Sequence, residues 1–363
     1  MMSIPQLTVH SVCVRAVDVP LARPLTTSSG SIPSAALVLI DLLTNEGVTG
    51  RSYVFTYTSA ALGPVAQLLT HLGTLLVGDV VAPVVIEQKL QHFFRLLGPQ
   101  GLTGIAMAGI DMAAWDALAQ ACGLPLVRLL GGEARPIPAY ASLGMGSAER
   151  MAQEAGEALE QGFGAIKFKI GFPSVQTDLE VIRAVRSAVG KEIALMVDYN
   201  QCLSISQAEQ RLRLLDEEGL FWIEEPTRAD DYTGHARIRQ EARTPIQLGE
   251  NWWGLPDMTK SITAEASDLV MLDVMKIGGV TGWLRGSALA ASAGLPLSSH
   301  IFPEISAHLL AVTPTVHLLE YMDLAASVLE EPVVVDKGQV TPSLKPGTGI
   351  SWREEMVQRF LLV

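Results

Sequence analysis

The hydrophobic and polar positions change their spacing along the chain. Residues 9–19 and 36–43 are strand-like runs separated by turn-rich stretches, a pattern typical of a small antiparallel sheet. Over residues 60–130 the apolar positions recur at three- and four-residue spacing, which predicts packed helices. A turn signal at residues 131–136 ends this helical part, and we place a domain boundary there.

After this boundary, short apolar β-type runs alternate with amphipathic helical segments, and such alternation predicts parallel strands. The runs lie at residues 137–142, 165–170, 194–198, 221–224, 246–250, 268–273, 295–300 and 317–320, with helices predicted at 148–161 and 175–189. Eight parallel strands close into a (β/α) barrel. An open doubly wound sheet is the alternative, but no glycine-rich phosphate loop follows the early strands.

The composition is that of a globular protein with sizeable cores, because 48% of the 363 residues are hydrophobic and 18% are charged. No apolar run reaches the roughly 18 to 20 residues that span a membrane. Residues 1–6 lack the basic start and long apolar stretch of a secretory signal, so we expect a cytoplasmic location. A net charge of −12 argues against nucleic acid and anionic membranes as partners, because both require basic patches.

Every predicted barrel strand ends in a polar group that is able to do chemistry. These groups are Ser142, Lys169, Asp198 with Asn200, Glu224, Glu250, Asp273, His300 and Glu320. The C-terminal ends of barrel strands form one rim around one pocket, so we expect these distant residues to converge. Turn chemistry explains one polar strand end more easily than eight.

Two lysines share the second run. Lys167 and Lys169 are separated by one residue, so on a strand their side chains point to the same face. Two close ammonium groups repel, which favours loss of one proton and lowers the pKa of a lysine towards that of a general base. A solvated edge strand is the alternative for this motif alone.

Three carboxylates, Asp198, Glu224 and Glu250, lie on consecutive predicted strands at a spacing of 26 residues. Three acids directed at one point repel unless a cation lies between them. Because all the ligands are oxygen atoms, we predict Mg²⁺, with Mn²⁺ as a substitute. Asn200 lies on the same face as Asp198 and adds an amide contact to a ligand or substrate; a turn asparagine is the alternative.

Asp273 and His300 end the sixth and seventh runs. A carboxylate that orients a histidine fixes its tautomer and raises its basicity, so we predict a proton-transfer dyad opposite the lysine base. A single histidine on an apolar strand is otherwise more often structural. Glu320 is on the eighth run. If the metal and lysines bind a substrate carboxylate, the neighbouring negative charge is expected to keep Glu320 protonated, so that it donates a hydrogen bond to a developing enolate.

The remaining candidate ligands give weaker signals. Cys13, Cys122 and Cys202 are odd in number and far apart, so they predict neither a disulfide framework nor a thiolate metal site, and we expect reduced residues in the core. Asp111 and Asp116 lie in a helical stretch rich in small residues. They are expected to form caps, surface pairs or indirect contacts to a site.

These motifs together resemble the mandelate racemase subgroup of the enolase superfamily, over nearly the whole chain. The resemblance is carried by Lys167-Phe168-Lys169, the three carboxylates, Trp222-Ile223-Glu224-Glu225-Pro226, Asp273 with His300, and the segments 111–118, 196–201, 275–283 and 304–308. It implies an α/β fold in which a modified TIM (β/α) barrel, residues 135–325, lies under an N-terminal α+β capping domain, residues 1–134. The C-terminal segment, residues 326–363, is implied to return to the capping domain, and the chain to form a homo-oligomer, with an octamer expected.

The resemblance also implies a role for each strand-end group. It makes Asp198, Glu224 and Glu250 the Mg²⁺ ligands. Lys169 is implied to be the base for the S face, and His300 with Asp273 the base for the R face. Lys167 is implied to hold the substrate carboxylate with Glu320 as the general acid beside it, and Ser142 and Asn200 to line the site. The implied reaction abstracts the proton α to a carboxylate, and an enediolate is then reprotonated from the opposite side. Two bases on opposite faces imply a racemase of a mandelate-like 2-hydroxy acid.

Substrate choice is implied to depend on the capping-domain loop at residues 25–32, which includes Leu25 and Ser29, together with Phe55 and Tyr57. Thr26 and Ser29 are more polar than the corresponding residues of mandelate racemase. The sequence therefore leaves both aryl and hydroxylated or heteroaromatic 2-hydroxy acids open as substrates.

Three other functions compete with a racemase. A sugar-acid dehydratase would use the same lysine and histidine and then expel a β hydroxyl group. A cycloisomerase would oppose Lys169 with Lys276, but the presence of Asp273 and His300 argues against it. A binding protein that has kept the barrel without its chemistry is the last alternative, and the complete set of groups argues against it.

Overall fold

The structure is a computed structural model that describes residues 5–362. Residues 1–4, part of the stretch judged unlike a secretory signal, lie outside the described residues. The N-terminal part consists of β1 (Val9–Thr27), β2 (Gly30–Thr44), β3 (Thr49–Phe55), α1 (Leu62–Leu76), α2 (Pro83–Phe93), α3 (Leu102–Ala121) and α4 (Leu126–Leu129). The three strands form one antiparallel sheet in sequence order, against which α3 and α1 pack.

A regular alternation of strands and helices follows. Its elements are β4 (Ile137–Ser142), α5 (Ala148–Glu160), β5 (Ala165–Lys169), α6 (Val175–Val189), β6 (Ala194–Asp198), α7 (Ile205–Leu215), β7 (Trp222–Glu224), α8 (Tyr232–Glu241), β8 (Ile246–Leu248), α9 (Leu255–Thr263), β9 (Leu269–Asp273), α10 (Gly279–Ser292), β10 (Leu297–His300), α11 (Pro303–Ala311) and β11 (Leu319–Tyr321). Neighbouring strands from β4 to β10 pair in parallel, and β11 pairs in parallel with β4. The N–H of Ser299 donates to the carbonyl of Leu318 (3.0 Å), which joins β10 to the β11 segment and closes the barrel. The barrel prediction is confirmed.

The two-residue period of the strands builds the barrel interior in layers. Tyr140, Ala165, Met196, Trp222 and Met271 form one buried apolar cluster. Lys167, Asp198, Glu224 and Asp273 each lie two residues further along the same strands as four of these residues and therefore face the same interior. The apolar layer supports the charged layer above it at the C-terminal ends of the strands.

Helix α3 is the buried helix of the N-terminal part. Its length and composition would suffice to cross a membrane, so the expectation that no run does is wrong. However, 83% of the apolar 18-residue stretch of α3 is buried inside the protein, as in a core helix. Asp111 accepts hydrogen bonds from the N–H and hydroxyl of Thr281, and Asp116 accepts one from the N–H of Thr348 (2.6 Å). Both aspartates are buried and tie α3 to other parts of the chain, which is the structural role expected.

The chain after the barrel contains β12 (Val335–Asp336), β13 (Gln339–Val340) and α12 (Glu354–Phe360). β13 pairs antiparallel with β4. Near the C-terminus the N–H of Leu362 donates to the carbonyl of Ala16 (2.9 Å), and the indole of Trp352 donates to Asp41 (2.8 Å). These contacts lie on β1 and β2; the exact domain bounds stay predictions.

The cysteines differ from the expectation in one respect. Cys13, Cys122 and Cys202 are all free, as predicted. Cys13 and Cys202 are exposed, however, so the expectation that they fill the core is wrong for both. Cys13 lies on β1, whose long pairing with β2 leaves one face open.

Candidate active site

The strand register brings the polar strand ends to one level. Lys169 pairs with Asp198, and Asp198 pairs with Glu224. On the far side of the barrel, His300 pairs with Asp273. We call this circle of side chains at the C-terminal ends of the barrel strands the ring. All of these side chains are buried. The prediction that residues more than 150 positions apart converge is confirmed, because Lys167 and Glu320, 153 positions apart, lie 2.9 Å from each other.

The three carboxylates form the centre of this ring. Asp198, Glu224 and Glu250 each place one oxygen within 4.8 Å of the others. Burial raises the pKa of Glu224 well above its usual value, and the neighbouring carboxylates add to this. Glu250 Oε2 is buried, and no described residue donates a hydrogen bond to it. Such converging oxygen donors, one of them unpaired, fit a hard divalent cation such as Mg²⁺.

The two lysines are held by acids. Lys167 donates to Glu224 (2.6 Å) and lies 2.9 Å from Glu320, and Lys169 donates to Asp198 (2.6 Å). Burial disfavours both ammonium ions, but these carboxylates outweigh it, so the pKa of each lysine is raised. The predicted lowering is therefore wrong: the charge of Lys167 does lower the pKa of Lys169, but Asp198 raises it more.

His300 and Asp273 form the predicted pair. His300 Nδ1 lies 2.8 Å from Asp273 Oδ2, while Asp273 Oδ1 accepts the backbone N–H of Met275 at 2.7 Å. Because this backbone hydrogen bond holds Asp273 in place, Asp273 orients the imidazole of His300. Nε2 of His300 then faces the other strand-end groups and lies 3.3 Å from Glu250 Oε2. Burial opposes protonation of His300, but Glu250, Glu320 and Asp273 raise its pKa.

Glu320 lies next to two cationic side chains, Lys167 and His300. Although burial favours the neutral acid, Lys167 and His300 lower the pKa of Glu320 to about 2. Its Oε2 accepts the N–H of Ile301 (3.0 Å), a bond that a carboxylate accepts readily. Glu320 is therefore a carboxylate beside these two cations; its protonation next to a bound substrate carboxylate stays a prediction.

Ser142 and Asn200 lie beside this ring. Ser142 ends β4 and pairs with Lys167. Asn200 has a φ of 43°, in the left-handed region that asparagine tolerates, and both its N–H (2.7 Å) and its side-chain amide (2.8 Å) donate to Asp198. It is thus a turn residue that also holds a carboxylate, and its Oδ1 is buried with no donor among the described residues.

The capping-domain residues reach the ring from above. The ring of Tyr57 packs against that of Phe55 at an interplanar angle of 44°, with centroids 4.6 Å apart, and its hydroxyl lies 3.4 Å from Asp273 Oδ2. Leu25 is half-buried near the start of the β1–β2 hairpin tip, and Ser29 is exposed at that tip. It is Ser28 that touches the barrel, donating to the carbonyl of Tyr199 at 3.2 Å.

Sequence reasoning gave no role to two polar residues around the carboxylates, Glu225 and Asn251, and considered Lys276 only as a rival base. Glu225 and Asn251 directly follow the predicted ligands Glu224 and Glu250, and Asn251 donates to both Glu225 and Glu250. Lys276 in turn donates to Asn251 (2.5 Å). The doubled polar positions after the strands were the available signal, but only the fold shows that they contact one another.

Two protein-family models match the chain. A model described as the mandelate racemase / muconate lactonizing enzyme N-terminal domain matches residues 9–131, and one described as enolase C-terminal domain-like matches residues 150–356. Together they account for most of the chain, including every strand-end group of the ring except Ser142.

Individual proteins agree with this. The chain superposes on a Bradyrhizobium enolase complexed with magnesium and mandelic acid, with a TM-score of 0.96, 46% identity and full coverage of both chains. A 3,6-anhydro-alpha-L-galactonate cycloisomerase from Streptomyces coelicolor is 31% identical over 92% of this chain and 93% of its own. An L-talarate/galactarate dehydratase from Salmonella typhimurium is 29% identical over 94% of this chain and 86% of its own.

Proposed function

The chain belongs to the mandelate racemase / muconate lactonizing enzyme family of the enolase superfamily, and we propose that it is a Mg²⁺-dependent racemase of a mandelate-like 2-hydroxy carboxylic acid. The observation that carries the proposal is the pair of proton-transfer groups, Lys169 on β5 and the His300–Asp273 dyad on β10 and β9. In the closed ring, β5 and β10 are separated by β4 and β11 on one side and by four strands on the other. Two such groups serve the two faces of one α carbon.

Each residue has a defined task in this proposal. In its neutral amine form Lys169 takes the α proton of one enantiomer, and His300, oriented by Asp273 and in its protonated form, returns a proton to the opposite face. The reverse reaction exchanges their roles. Lys167 holds the substrate carboxylate through its ammonium group. Glu320 fixes Lys167 in place at 2.9 Å and so keeps that charge directed at the site.

Asp198, Glu224 and Glu250 are the residues that would hold Mg²⁺. When bound, the ion supplies positive charge that stabilises the negative charge developing on the substrate carboxylate as the α proton leaves. The same three carboxylates exclude a soft metal, because none of them offers nitrogen or sulfur. The similar Bradyrhizobium structure contains magnesium, which supports this choice of ion.

A mandelate-like substrate is supported by the mandelic acid in that same structure and by the aromatic ring of Tyr57, whose hydroxyl lies 3.4 Å from Asp273. A sugar-acid dehydratase is the second candidate, because a dehydratase is among the relatives and the hairpin tip carries Ser28 and Ser29. A cycloisomerase is less well supported, since Lys276 is engaged by Asn251. The cytoplasmic location and the homo-octamer stay predictions.

The test is a proton-exchange assay in D₂O. Each enantiomer of mandelate, and separately a set of acid sugars, is incubated with the enzyme and Mg²⁺, and the α proton is followed by NMR. Exchange of the α proton with loss of optical activity and an unchanged carbon skeleton supports a racemase. Formation of a 2-keto-3-deoxy acid from an acid sugar would instead show that the enzyme is a dehydratase. Enzyme treated with EDTA is the control.

A further inference from the structure

Behind the three carboxylates lies a chain of polar contacts to which the proposed mechanism gives no task. Lys276 Nζ donates to Asn251 Oδ1 at 2.5 Å. The amide nitrogen of Asn251 donates to both oxygens of Glu225, at 2.9 and 2.8 Å, and to Glu250 Oε1 at 3.2 Å. Lys276 is buried, with only 6% of its surface exposed.

This chain fixes the direction of one amide. With its oxygen towards Lys276, the Asn251 side chain presents its two N–H donors to the carboxylates of Glu225 and Glu250. The reversed amide would place donors against an ammonium ion and an oxygen against two carboxylates, which leaves every contact unfavourable. Lys276 and the two carboxylates therefore favour the same orientation, in which Asn251 holds Glu250 Oε1, while Oε2 accepts no hydrogen bond from a described residue.

The same ammonium group is held from the N-terminal part of the chain. Lys276 Nζ lies 4.6 Å from the ring centroid of Tyr57 and 5.9 Å from that of Trp253. A cation over an aromatic face is attracted to it, more strongly when both are withdrawn from water. The backbone of Lys276 is also fixed, because its N–H donates to Asp273 Oδ1 and its carbonyl accepts the N–H of Gly254.

We propose that Lys276 is a positioning residue that links the seating of Tyr57 above the barrel to the geometry of the metal site, acting through Asn251 on Glu250. The inference rests on the carboxylate site of the proposed function but not on the identity of the substrate. Lys276 touches none of the reacting atoms in this role. Residues that orient metal ligands typically change metal affinity 10- to 100-fold when replaced.

Charge and positioning make opposite predictions for this residue. If Lys276 acts only as a nearby positive charge, its removal relieves repulsion of Mg²⁺ and tightens binding. If it orients Asn251, its removal frees the amide, and binding weakens. Lys276→Met keeps most of the length of the stem and removes the charge, so the sign of the change in affinity separates the two.

The experiment is isothermal titration of the metal-free protein with Mg²⁺ at fixed pH, with folding checked by circular dichroism. We expect Lys276→Met to weaken Mg²⁺ binding about tenfold. Lys260→Met removes the same charge from the exposed surface of α9 and is the matched control, with unchanged affinity expected. Unchanged or tighter binding by Lys276→Met would overturn the proposal.

Two further variants keep the test decisive if Lys276→Met fails to fold. Asn251→Asp keeps an oxygen that accepts from Lys276 but loses the N–H donors to Glu225 and Glu250. If Asn251 positions Glu250, this variant binds Mg²⁺ more weakly, whereas the added negative charge alone would make binding tighter. Tyr57→Leu removes the ring face that holds Lys276 and is expected to weaken binding about threefold. Tighter or unchanged binding by both would contradict the inference.

A double variant tests whether Tyr57 acts through Lys276. When Lys276 is already methionine, Tyr57→Leu is expected to add nothing further to the loss of Mg²⁺ affinity. Additive losses would mean that Tyr57 reaches the site by another route, and the link would fall. Because these titrations use no substrate, they stay valid if the proposed substrate is wrong. A wild-type protein that binds no Mg²⁺ would overturn both the proposed link between Tyr57 and Glu250 and the metal site itself.

Discussion

At the scale of single residues, the two proposed bases are held by different kinds of partner. Lys169 donates to Asp198, which is also a predicted metal ligand. His300 is held by Asp273, whose other oxygen accepts backbone N–H groups and which lies outside the carboxylate triad. Loss of either base is therefore expected to disturb its own face of the substrate in its own way.

The two-base mechanism predicts that inversion and proton exchange respond differently to substitution. Either Lys169→Ala or His300→Asn should stop racemisation in both directions, by at least about a thousandfold, because inversion needs both groups. With His300→Asn, Lys169 should still exchange the α proton of the S substrate in D₂O. With Lys169→Ala, exchange of the R substrate should remain.

Polarimetry and NMR measured on the same samples check this prediction. His92→Gln, an exposed histidine on α2, is the control and should behave as the wild type. Full racemase activity in His300→Asn would show that the dyad is a structural pair, and Lys276 would then be the leading candidate for the second base.

The carboxylate triad predicts a strict metal requirement. EDTA should abolish turnover and Mg²⁺ should restore it, because three buried carboxylates at this separation repel one another without a cation. Glu250→Gln removes one of the three charges and should weaken Mg²⁺ binding at least tenfold in a calorimetric titration. Glu265→Gln, on an exposed side chain, is the matched control; activity that survives thorough chelation would contradict the assignment.

At the scale of elements, the tip of the β1–β2 hairpin is docked on the barrel at two points. The N–H of Met145 donates to the carbonyl of Thr26 (2.8 Å), and the hydroxyl of Ser28 donates to the carbonyl of Tyr199 (3.2 Å). Gly144 permits this approach, since a Cβ there would lie 3.1 Å from the backbone nitrogen of Thr26. Further from the tip, Arg23 on β1 donates to Glu157 on α5 (2.6 Å). At the tip itself, the contacts described above come from the backbone and from one side chain, that of Ser28.

Removing that one side-chain contact should loosen the hairpin without changing the chemistry. Ser28→Ala deletes one hydrogen bond, whose net contribution of about 0.5–1.5 kcal/mol corresponds to a two- to tenfold loss of kcat/KM. Ser29→Ala, one residue further on at the exposed tip, is the matched control. Equal effects of the two variants on kcat/KM would show that the contact with Tyr199 does not hold the cover in place.

The elements themselves could be predicted from the sequence, because the spacing of apolar residues is a local signal. The helix predicted at residues 175–189 coincides with α6, and each of the eight apolar runs forms a barrel strand. The charge states could not be predicted in this way. The pKa of Lys167 depends on Glu320, which lies 153 positions away in the sequence. The sequence shows that Lys169 is near Lys167, but it does not show that the closed barrel places Glu224 and Glu320 in contact with Lys167.

At the scale of the whole molecule, buried polar groups join parts of the chain that are distant in sequence. His308 on α11 lies between the N-terminal helices and the C-terminal segment. Its Nδ1 accepts the N–H of Val127 (3.2 Å), so Nε2 carries the proton and donates to the carbonyl of Thr348 (3.2 Å). Both bonds require the neutral ring, and burial lowers the pKa of His308 to about 4.

This junction predicts a loss of stability in mild acid. A histidine whose pKa falls from 6.5 to about 4 on folding stabilises the protein fully above pH 6.5, and this contribution is lost as the pH falls towards 4, because the unfolded chain binds the proton first. At pH 5 the loss amounts to about 2 kcal/mol. His308→Gln keeps an acceptor and a donor but does not titrate. Its free energy of unfolding by urea should therefore fall by about 2 kcal/mol less than that of the wild type between pH 7.5 and pH 5.

The comparison between the two pH values isolates the titration from the cost of the substitution itself. His308→Gln is expected to be less stable than the wild type at pH 7.5, because the amide packs less well than the ring it replaces. That offset cancels when the change with pH is compared. His92→Gln, on the exposed surface of α2, should follow the wild-type curve. If His308→Gln loses as much stability as the wild type, the junction is not held by a neutral histidine, and the acid sensitivity of the fold arises elsewhere.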